Sequence, residues 1–123
     1  MSNPLAELAN VGQSVWYDQM ERKLLTTGRL KQMIDDDDLR GLTSNPTIFE
    51  KAIAGSDDYD QQLRQLAAAD KNAVEILDEL MIDDIGNAAG VFRPVYDRCQ
   101  GNDGFVSIEV SPLLAKDLSL IHI

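Results

Sequence analysis

Three polar residues, Asp18, Asn45 and Glu109, lie at the ends of short runs of strand-forming residues or within them. Asp18 closes the run QSVWYD, Asn45 follows LRGLTS, and Glu109 lies within FVSIEV. Two carboxylates and a carboxamide at one edge of a sheet can transfer protons and orient a polar substrate, as carbonyl chemistry requires. These three residues are therefore the candidate catalytic residues.

Each candidate also has a structural interpretation. An aspartate that ends a strand, such as Asp18, often caps the next helix, and Asn45 followed by Pro46 has the pattern of a helix start. Glu109 is harder to explain in this way, because it should be half-buried and a buried carboxylate is costly unless it is paired. The pattern alone leaves both interpretations open.

Three segments, residues 13–18, 39–44 and 105–110, have strand-like sequences, and the last is closed by Ser111-Pro112. Helical periodicity fills the intervals between them. Strands that alternate with long helical segments predict an α/β fold with a parallel sheet of βα units. The carboxyl ends of such strands meet at one edge, which would bring the three candidate residues together.

The helical segments carry several more specific predictions. Gly28 should separate two helices, and a helix beginning at Asn45-Pro46 should stop at Gly55. Ser56 should cap the next helix, whose inner face would carry Tyr59, Leu63 and Leu66. A long helix over residues 72–97 should be kinked or split at Pro94. The four aspartates at 35–38 lack the spacing and glycine of a calcium loop, which favours a solvated turn.

Composition excludes several classes of partner. The 123 residues have 44% hydrophobic and 26% charged side chains, which is typical of one globular domain. With 21 acidic and 11 basic residues the net charge is −10, which disfavours nucleic acid and anionic membranes as partners. No apolar run approaches the ~20 residues of a membrane span. Without a secretory signal at its start, the chain is expected to be cytoplasmic.

Metal and cysteine chemistry are not expected. Cys99 is a single cysteine, which excludes an internal disulfide and is interpreted as an incidental thiol near a helix end. His122 is a single histidine, so the sequence does not predict a zinc site. No phosphate-binding cluster of arginine and lysine and no glycine-rich phosphate loop is evident.

Four segments together strongly resemble the N-terminal third of transaldolases, over about residues 5 to 117. They are SVWYD (14–18), GLTSNPTIFEKAI (41–53), FRPVYD (92–97) and DGFVSIEVSP (103–112). The most similar variety carries the Thr-Ser-Asn-Pro-Thr signature and in some organisms is fused to a glucose-6-phosphate isomerase. The four segments occur in order and at consistent spacing, which makes the resemblance far more specific than one short motif.

The resemblance implies a (β/α)8 barrel, of which this chain would supply about the first three βα units. Transaldolases transfer a dihydroxyacetone unit from a ketose phosphate to an aldose phosphate in the pentose phosphate pathway, without a metal or organic cofactor. The implied substrates are sedoheptulose 7-phosphate, glyceraldehyde 3-phosphate, fructose 6-phosphate and erythrose 4-phosphate. The resemblance leaves the oligomeric state open.

The resemblance also gives each candidate residue a role. Asp18 would handle the proton of the donor hydroxyl during cleavage, Asn45 would hydrogen-bond substrate hydroxyls, and Glu109 would act through an ordered water in forming and hydrolysing an imine. In the family a lysine on the next strand forms that imine with the donor ketone, and the phosphate-binding serine and arginine come later still. The lysines of this chain are not predicted in strands; they are Lys23, Lys31, Lys51, Lys71 and Lys116. Lys51 is expected to have a surface or salt-bridge role.

These expectations describe residues 1–123 as the N-terminal part of a single transaldolase barrel domain, with 118–123 as a foreign or truncated tail. Such a fragment would be inactive alone, because it lacks the Schiff-base lysine. Two alternatives remain: the N-terminal part of a bifunctional transaldolase/glucose-6-phosphate isomerase, or a non-catalytic interaction module that pairs with a separate C-terminal half or with itself.

Overall fold

The computed structural model describes residues 3–110, which contain a three-stranded parallel sheet in the order β1-β2-β3. Its strands are β1 (Val15–Asp18), β2 (Leu39–Thr43) and β3 (Phe105–Val106). The helices are α1 (Pro4–Glu7), α2 (Arg22–Thr26), α3 (Arg29–Asp37), α4 (Pro46–Ala54), α5 (Asp60–Ala68) and α6 (Ala73–Arg98), and a 3₁₀ helix spans Leu8–Val11. The predicted α/β class and parallel sheet are confirmed. Because every strand pair is parallel, the carboxyl ends of all three strands lie at one edge.

The core joins the central strand to the helices. Leu39 and Leu42 of β2 are buried and pack into a cluster with side chains from α2, α3, α4 and α6. The other buried members of this cluster are Met20, Leu24, Leu30, Ile34, Phe49, Met81, Ile85, Ala88, Phe92 and Val95. Each large apolar side chain buried in this way stabilises the fold by about 1.5–3 kcal/mol relative to an exposed one.

The pairing of β1 with β2 depends on a glycine at position 41. Trp16 is the register partner of Gly41, and its indole lies directly over that glycine. A Cβ atom at position 41 would come within 2.3 Å of the ring carbons of Trp16. Only glycine therefore lets the ring lie flat against the neighbouring strand.

Two of the helices that follow the central strand, α4 and α6, begin at an asparagine. Asn45 has extended backbone angles, and its side-chain oxygen accepts from the N–H of Ile48 at 2.9 Å. Asn72 caps α6 together with Glu75, whose carboxylate accepts from the N–H of Asn72, so that the two side chains form a capping box. The predicted start of α4 at Asn45-Pro46 and its stop at Gly55 are confirmed.

The prediction of a turn at residues 35–38 is wrong. Helix α3 continues through Asp37, and only Asp38, with φ of 51°, ends it in the left-handed region. Leu30 and Ile34 bury one face of this helix, which holds the acidic segment in helical geometry. One of the four carboxylates is also paired within the helix, since Asp35 forms a salt bridge with Lys31 one turn earlier.

Pro94 was predicted to kink or split the last helix; the split is wrong, and the kink stays a prediction. Helix α6 is continuous over 26 residues with Pro94 inside it. An interior proline costs about 3 kcal/mol, but Phe92 and Val95 on either side of it are completely buried, and their packing offsets that cost. Within the described part of the chain, neither α6 nor any other helix is long and apolar enough to cross a membrane.

Ser56 and the third strand differ from prediction in detail. Helix α5 begins at Asp60, and the Ser56 hydroxyl accepts from the N–H of Asp58 in the preceding turn instead of capping the helix. Strand β3 contains Phe105–Val106 only. It is short because β2 ends at Thr43, and the last backbone bond to that strand runs from the N–H of Ser107 to the carbonyl of Leu42 at 2.9 Å. The predicted strand end at Ser111-Pro112 lies outside the described residues.

Candidate active site at the carboxyl edge of the sheet

Asp18, Asn45 and Glu109 line one cleft at the carboxyl edge of the sheet. The cleft has a volume of about 520 Å³ and is also lined by Lys51 and the first turn of α4. This volume lies within the range of small-molecule sites, about 300–1,000 Å³. The fold therefore brings together the three residues predicted for catalysis, although they are far apart in the sequence.

Asp18 is the last residue of β1 and its side chain is exposed. The hydroxyl of Thr43, its register partner on β2, donates to Oδ1 of Asp18 at 2.6 Å. Among the described residues nothing donates to Oδ2. One oxygen thus fixes the orientation of the carboxylate while the other remains available to take a proton from a ligand.

Asn45 combines a structural and a ligand-facing role in one side chain. Its oxygen caps α4, which fixes the rotation of the carboxamide. Its Nδ2 amide group has no acceptor within residues 3–110. The cap therefore holds a hydrogen-bond donor in a constant position beside the cleft.

Glu109 is exposed, and the prediction that it would be half-buried is wrong. It follows the end of β3 instead of lying inside the strand. The segment that carries it is held from β2, because the buried hydroxyl of Ser44 donates to the carbonyl of Ser107 at 2.8 Å. Thr43 and Ser44, which the sequence analysis did not single out, thus position the two acidic candidates.

Lys51 lies in α4, exposed, and lines the same cleft. The prediction of a surface position is confirmed, but no carboxylate within residues 3–110 forms a salt bridge with it. Lys23 and Lys31 lie in helices and Lys71 lies between α5 and α6, so none of these lysines is on a strand. Lys116 lies outside the described residues.

A buried polar network joins the start of α2 to α6 and was missed by the sequence analysis. Nε of Arg22 donates to Oδ1 of Asp84 at 2.9 Å, and the Tyr59 hydroxyl donates to Oδ2 at 2.9 Å. The same hydroxyl accepts from the backbone N–H of Arg22 at 3.0 Å. Burial raises the pKa of Asp84, opposed by these hydrogen bonds, and burial with the nearby carboxylate raises the pKa of Tyr59, which keeps the phenol protonated as a donor. The network fastens the turn after β1 to α6.

The amino edge of the sheet carries a second network. Arg40 of β2 donates to Asp38 at 2.8 Å and to Asp103 at 3.0 Å, and the Ser14 hydroxyl donates to Asp103 at 2.6 Å. Arg98 at the end of α6 pairs with Asp38 at 3.1 Å. The hydrogen bonds to the two aspartates raise the pKa of Arg40. This network links the segments before β1 and β3 through β2.

The structure describes the single cysteine but not the single histidine. Residues 3–110 contain no group of three or more His, Cys, Asp or Glu side chains placed to hold a metal ion. Cys99 is a free, half-buried thiol at the end of α6, close to the predicted helix end. His122 lies outside the described residues.

A parallel sheet of βα units with acid, amide and ammonium groups at its carboxyl edge defines an α/β protein whose ligands would bind at that edge. The family model described as transaldolase/fructose-6-phosphate aldolase matches residues 15–121, and the chain belongs to this family.

Curated relatives agree with this assignment. The chain is 46% identical to a transaldolase of Trichodesmium erythraeum over 117 residues, which cover 95% of this chain and 31% of the relative. It is 49% identical to a transaldolase of Acidothermus cellulolyticus over 117 residues, which cover 95% of this chain and 32% of that protein. It is 44% identical to "Transaldolase 2" of Streptomyces coelicolor over 115 residues, covering 94% and 31%. The chain thus spans about a third of the length of these relatives.

Proposed function

We propose that this chain is the N-terminal part of a (β/α)8-barrel transaldolase that transfers a dihydroxyacetone unit between a ketose phosphate and an aldose phosphate. The observation that supports this most directly is the convergence of Asp18, Asn45 and Glu109 on one cleft at the carboxyl edge. The family match and the relatives named transaldolase support the reaction class. The substrates are the sugar phosphates of the pentose phosphate pathway, and the reaction takes place in the cytoplasm.

The proposed chemistry divides the work between this segment and a strand that follows it. A lysine on that later strand condenses with the donor ketone, releases water and forms a Schiff base, which accepts the electron pair when the carbon–carbon bond breaks. Asp18 takes the proton from the donor hydroxyl, so that the leaving fragment departs as an aldehyde. Asn45 donates its amide N–H to a substrate hydroxyl, and Glu109 moves protons through a water when the imine forms and is hydrolysed.

The geometry supports these roles residue by residue. Asp18 has one oxygen fixed by Thr43 and one available. Asn45 is oriented by its cap, and its donor is available to a ligand. Glu109 is exposed to solvent, where a bridging water can reach it.

The first test is to read the coding DNA past codon 123 and to express the complete reading frame. We expect the frame to continue into a strand that carries a lysine. The complete protein should transfer the dihydroxyacetone unit from fructose 6-phosphate to erythrose 4-phosphate, and borohydride reduction with the donor should add the mass of the reduced adduct to that lysine. Release of free dihydroxyacetone without an acceptor would instead indicate an aldolase. Failure to form an adduct would contradict the Schiff-base mechanism.

The same reading frame tests the fusion. A glucose-6-phosphate isomerase sequence downstream would show a bifunctional protein, whereas a barrel alone would show a single-function transaldolase. A stop directly after codon 123 would favour the interaction module, which should gain activity only when mixed with a lysine-bearing partner.

A further inference from the structure

Lys51 is the single cation among the described residues that line the candidate cleft. The same cleft contains the carboxylates of Asp18 and Glu109, and the chain as a whole has a net charge of −10. A substrate that carries a phosphate dianion would therefore approach against a negative field. One ammonium group at this position reduces the local negative potential more effectively than the same charge placed elsewhere on the surface.

Helix geometry directs the Lys51 side chain toward the cleft. Side chains on a helix tilt toward its N-terminus and cover the turn before their own Cα. For Lys51 that turn contains Thr47 and Ile48, which line the cleft as well. The long aliphatic stem can lie over this turn while the ammonium group stays in solvent at the mouth.

Lys51 forms no salt bridge within residues 3–110. Lys31 and Lys71 each pair with a carboxylate, whereas no described residue forms such a pair with Lys51. Lys23 is likewise exposed on a helix and unpaired within residues 3–110, but it is not among the residues that line the cleft. The chain thus provides a matched pair of lysines that differ in their relation to the site.

We propose that Lys51 is a specificity-determining residue that attracts the phosphate group of the substrate to the cleft and so favours phosphorylated over unphosphorylated sugars. This inference rests on the proposed function and concerns binding only. Lys51 does not form the imine and takes no part in proton transfer. Its contribution is electrostatic, so it should depend on charge and decrease with salt.

The test uses the complete protein and compares a charged donor, fructose 6-phosphate, with a neutral one, dihydroxyacetone. For each donor the half-saturating concentration is measured from borohydride-trapped adduct, at low salt and at about 1 M salt, where the Debye length is about 3 Å. At low salt Lys51→Met should raise this concentration about 3- to 10-fold for fructose 6-phosphate, as expected for one exposed charge acting on a dianion. It should leave the value for dihydroxyacetone unchanged.

The controls separate charge from structure. Lys51→Arg should behave as the wild type. Lys23→Met removes a lysine charge that lies away from the cleft, and it should change the half-saturating concentration of neither donor. At high salt Lys51→Met and the wild type should converge. Equal losses for both donors, or no loss for either, would overturn the proposal. A wild-type protein that forms no adduct would overturn the proposed function itself. An active wild type whose Lys51→Met variant binds both donors normally would overturn only the role of Lys51.

Discussion

The two edges of the sheet use polar side chains in opposite ways. At the amino edge Arg40, Asp38, Asp103 and Ser14 bond to one another, and Asp103 is only 7% exposed. At the carboxyl edge Asp18 and Glu109 are exposed around a cleft of about 520 Å³. Polar groups that bond to each other stabilise the fold, whereas groups left facing a cleft can bind and react. The comparison separates residues whose loss should affect folding from residues whose loss should affect catalysis.

The largest effect is expected at the carboxyl edge. Asp18→Asn keeps an acceptor for the Thr43 hydroxyl but cannot take a proton, so kcat should fall by about 10²- to 10⁴-fold. The urea midpoint should not change, because the side chain is exposed. Steady-state kinetics of the complete protein measure kcat, and urea unfolding measures the midpoint. Asp78→Asn, on the exposed side of α6, is the matched control and should alter neither; an unchanged kcat in Asp18→Asn would remove Asp18 from the mechanism.

The next largest effect is expected at the amino edge, with the opposite signature. Arg40→Met leaves Asp103 buried without its charge partner, and the free energy of unfolding should fall by about 3 kcal/mol. KM and kcat of the folded enzyme should be retained. Arg64→Met removes an exposed pair with Asp60 and should change stability by less than about 0.5 kcal/mol. A loss of kcat in Arg40→Met without loss of stability would contradict the assignment of the amino edge to folding and the carboxyl edge to catalysis.

A third variant sharpens the comparison by testing a buried group that does not line the cleft but is bonded to Arg22, close to Asp18 in the chain. Tyr59→Phe leaves Oδ2 of Asp84 without a donor and the backbone N–H of Arg22 without an acceptor, which should cost about 2 kcal/mol of unfolding free energy. KM and kcat should not change if only residues that line the cleft act in catalysis. Chemical denaturation with parallel activity measurements tests this. Tyr96→Phe should be neutral, and a kinetic defect in Tyr59→Phe would extend the functional region into the network.

The smallest expected change in stability concerns Asn45, which both caps α4 and lines the cleft. Asn45→Ala removes the cap of α4 and should lower the free energy of unfolding by about 1 kcal/mol. Asn45→Ser keeps a capping oxygen and should retain most of that stability. Both variants lack the amide donor and should lose activity to a similar extent. If Asn45→Ser restored activity together with stability, the cap alone would explain why asparagine is present.

Local signals explain what the sequence predicted correctly. The Asn45-Pro46 start and the Gly55 stop of α4 depend on residues adjacent in the chain, and β1 and β2 are recognisable from their own composition. The edge to which these elements bring Asp18 and Asn45 follows from the parallel topology. The catalytic roles of these residues remain predictions, because they depend on chemistry outside residues 3–110.

Distant partners explain what the sequence did not show. Arg40 meets Asp103 across 63 positions and Arg22 meets Asp84 across 62, and no periodic pattern links such pairs. Pro94 stays within a helix because of packing by its buried neighbours. Glu109 lies beyond the end of β3, and that end depends on pairing with β2, which the sequence around Glu109 does not show.

The contact between Trp16 and Gly41 also gives the molecule a built-in optical reporter. Trp16 is the single tryptophan of the 123 residues, and its ring rests on the neighbouring strand two positions before Asp18. Trp16 is 40% exposed, and the face of its indole that rests on Gly41 becomes hydrated when the strands separate, which shifts the emission. The intrinsic fluorescence of this segment therefore reports directly on whether β1 and β2 are paired, and hence on whether the carboxyl edge is assembled.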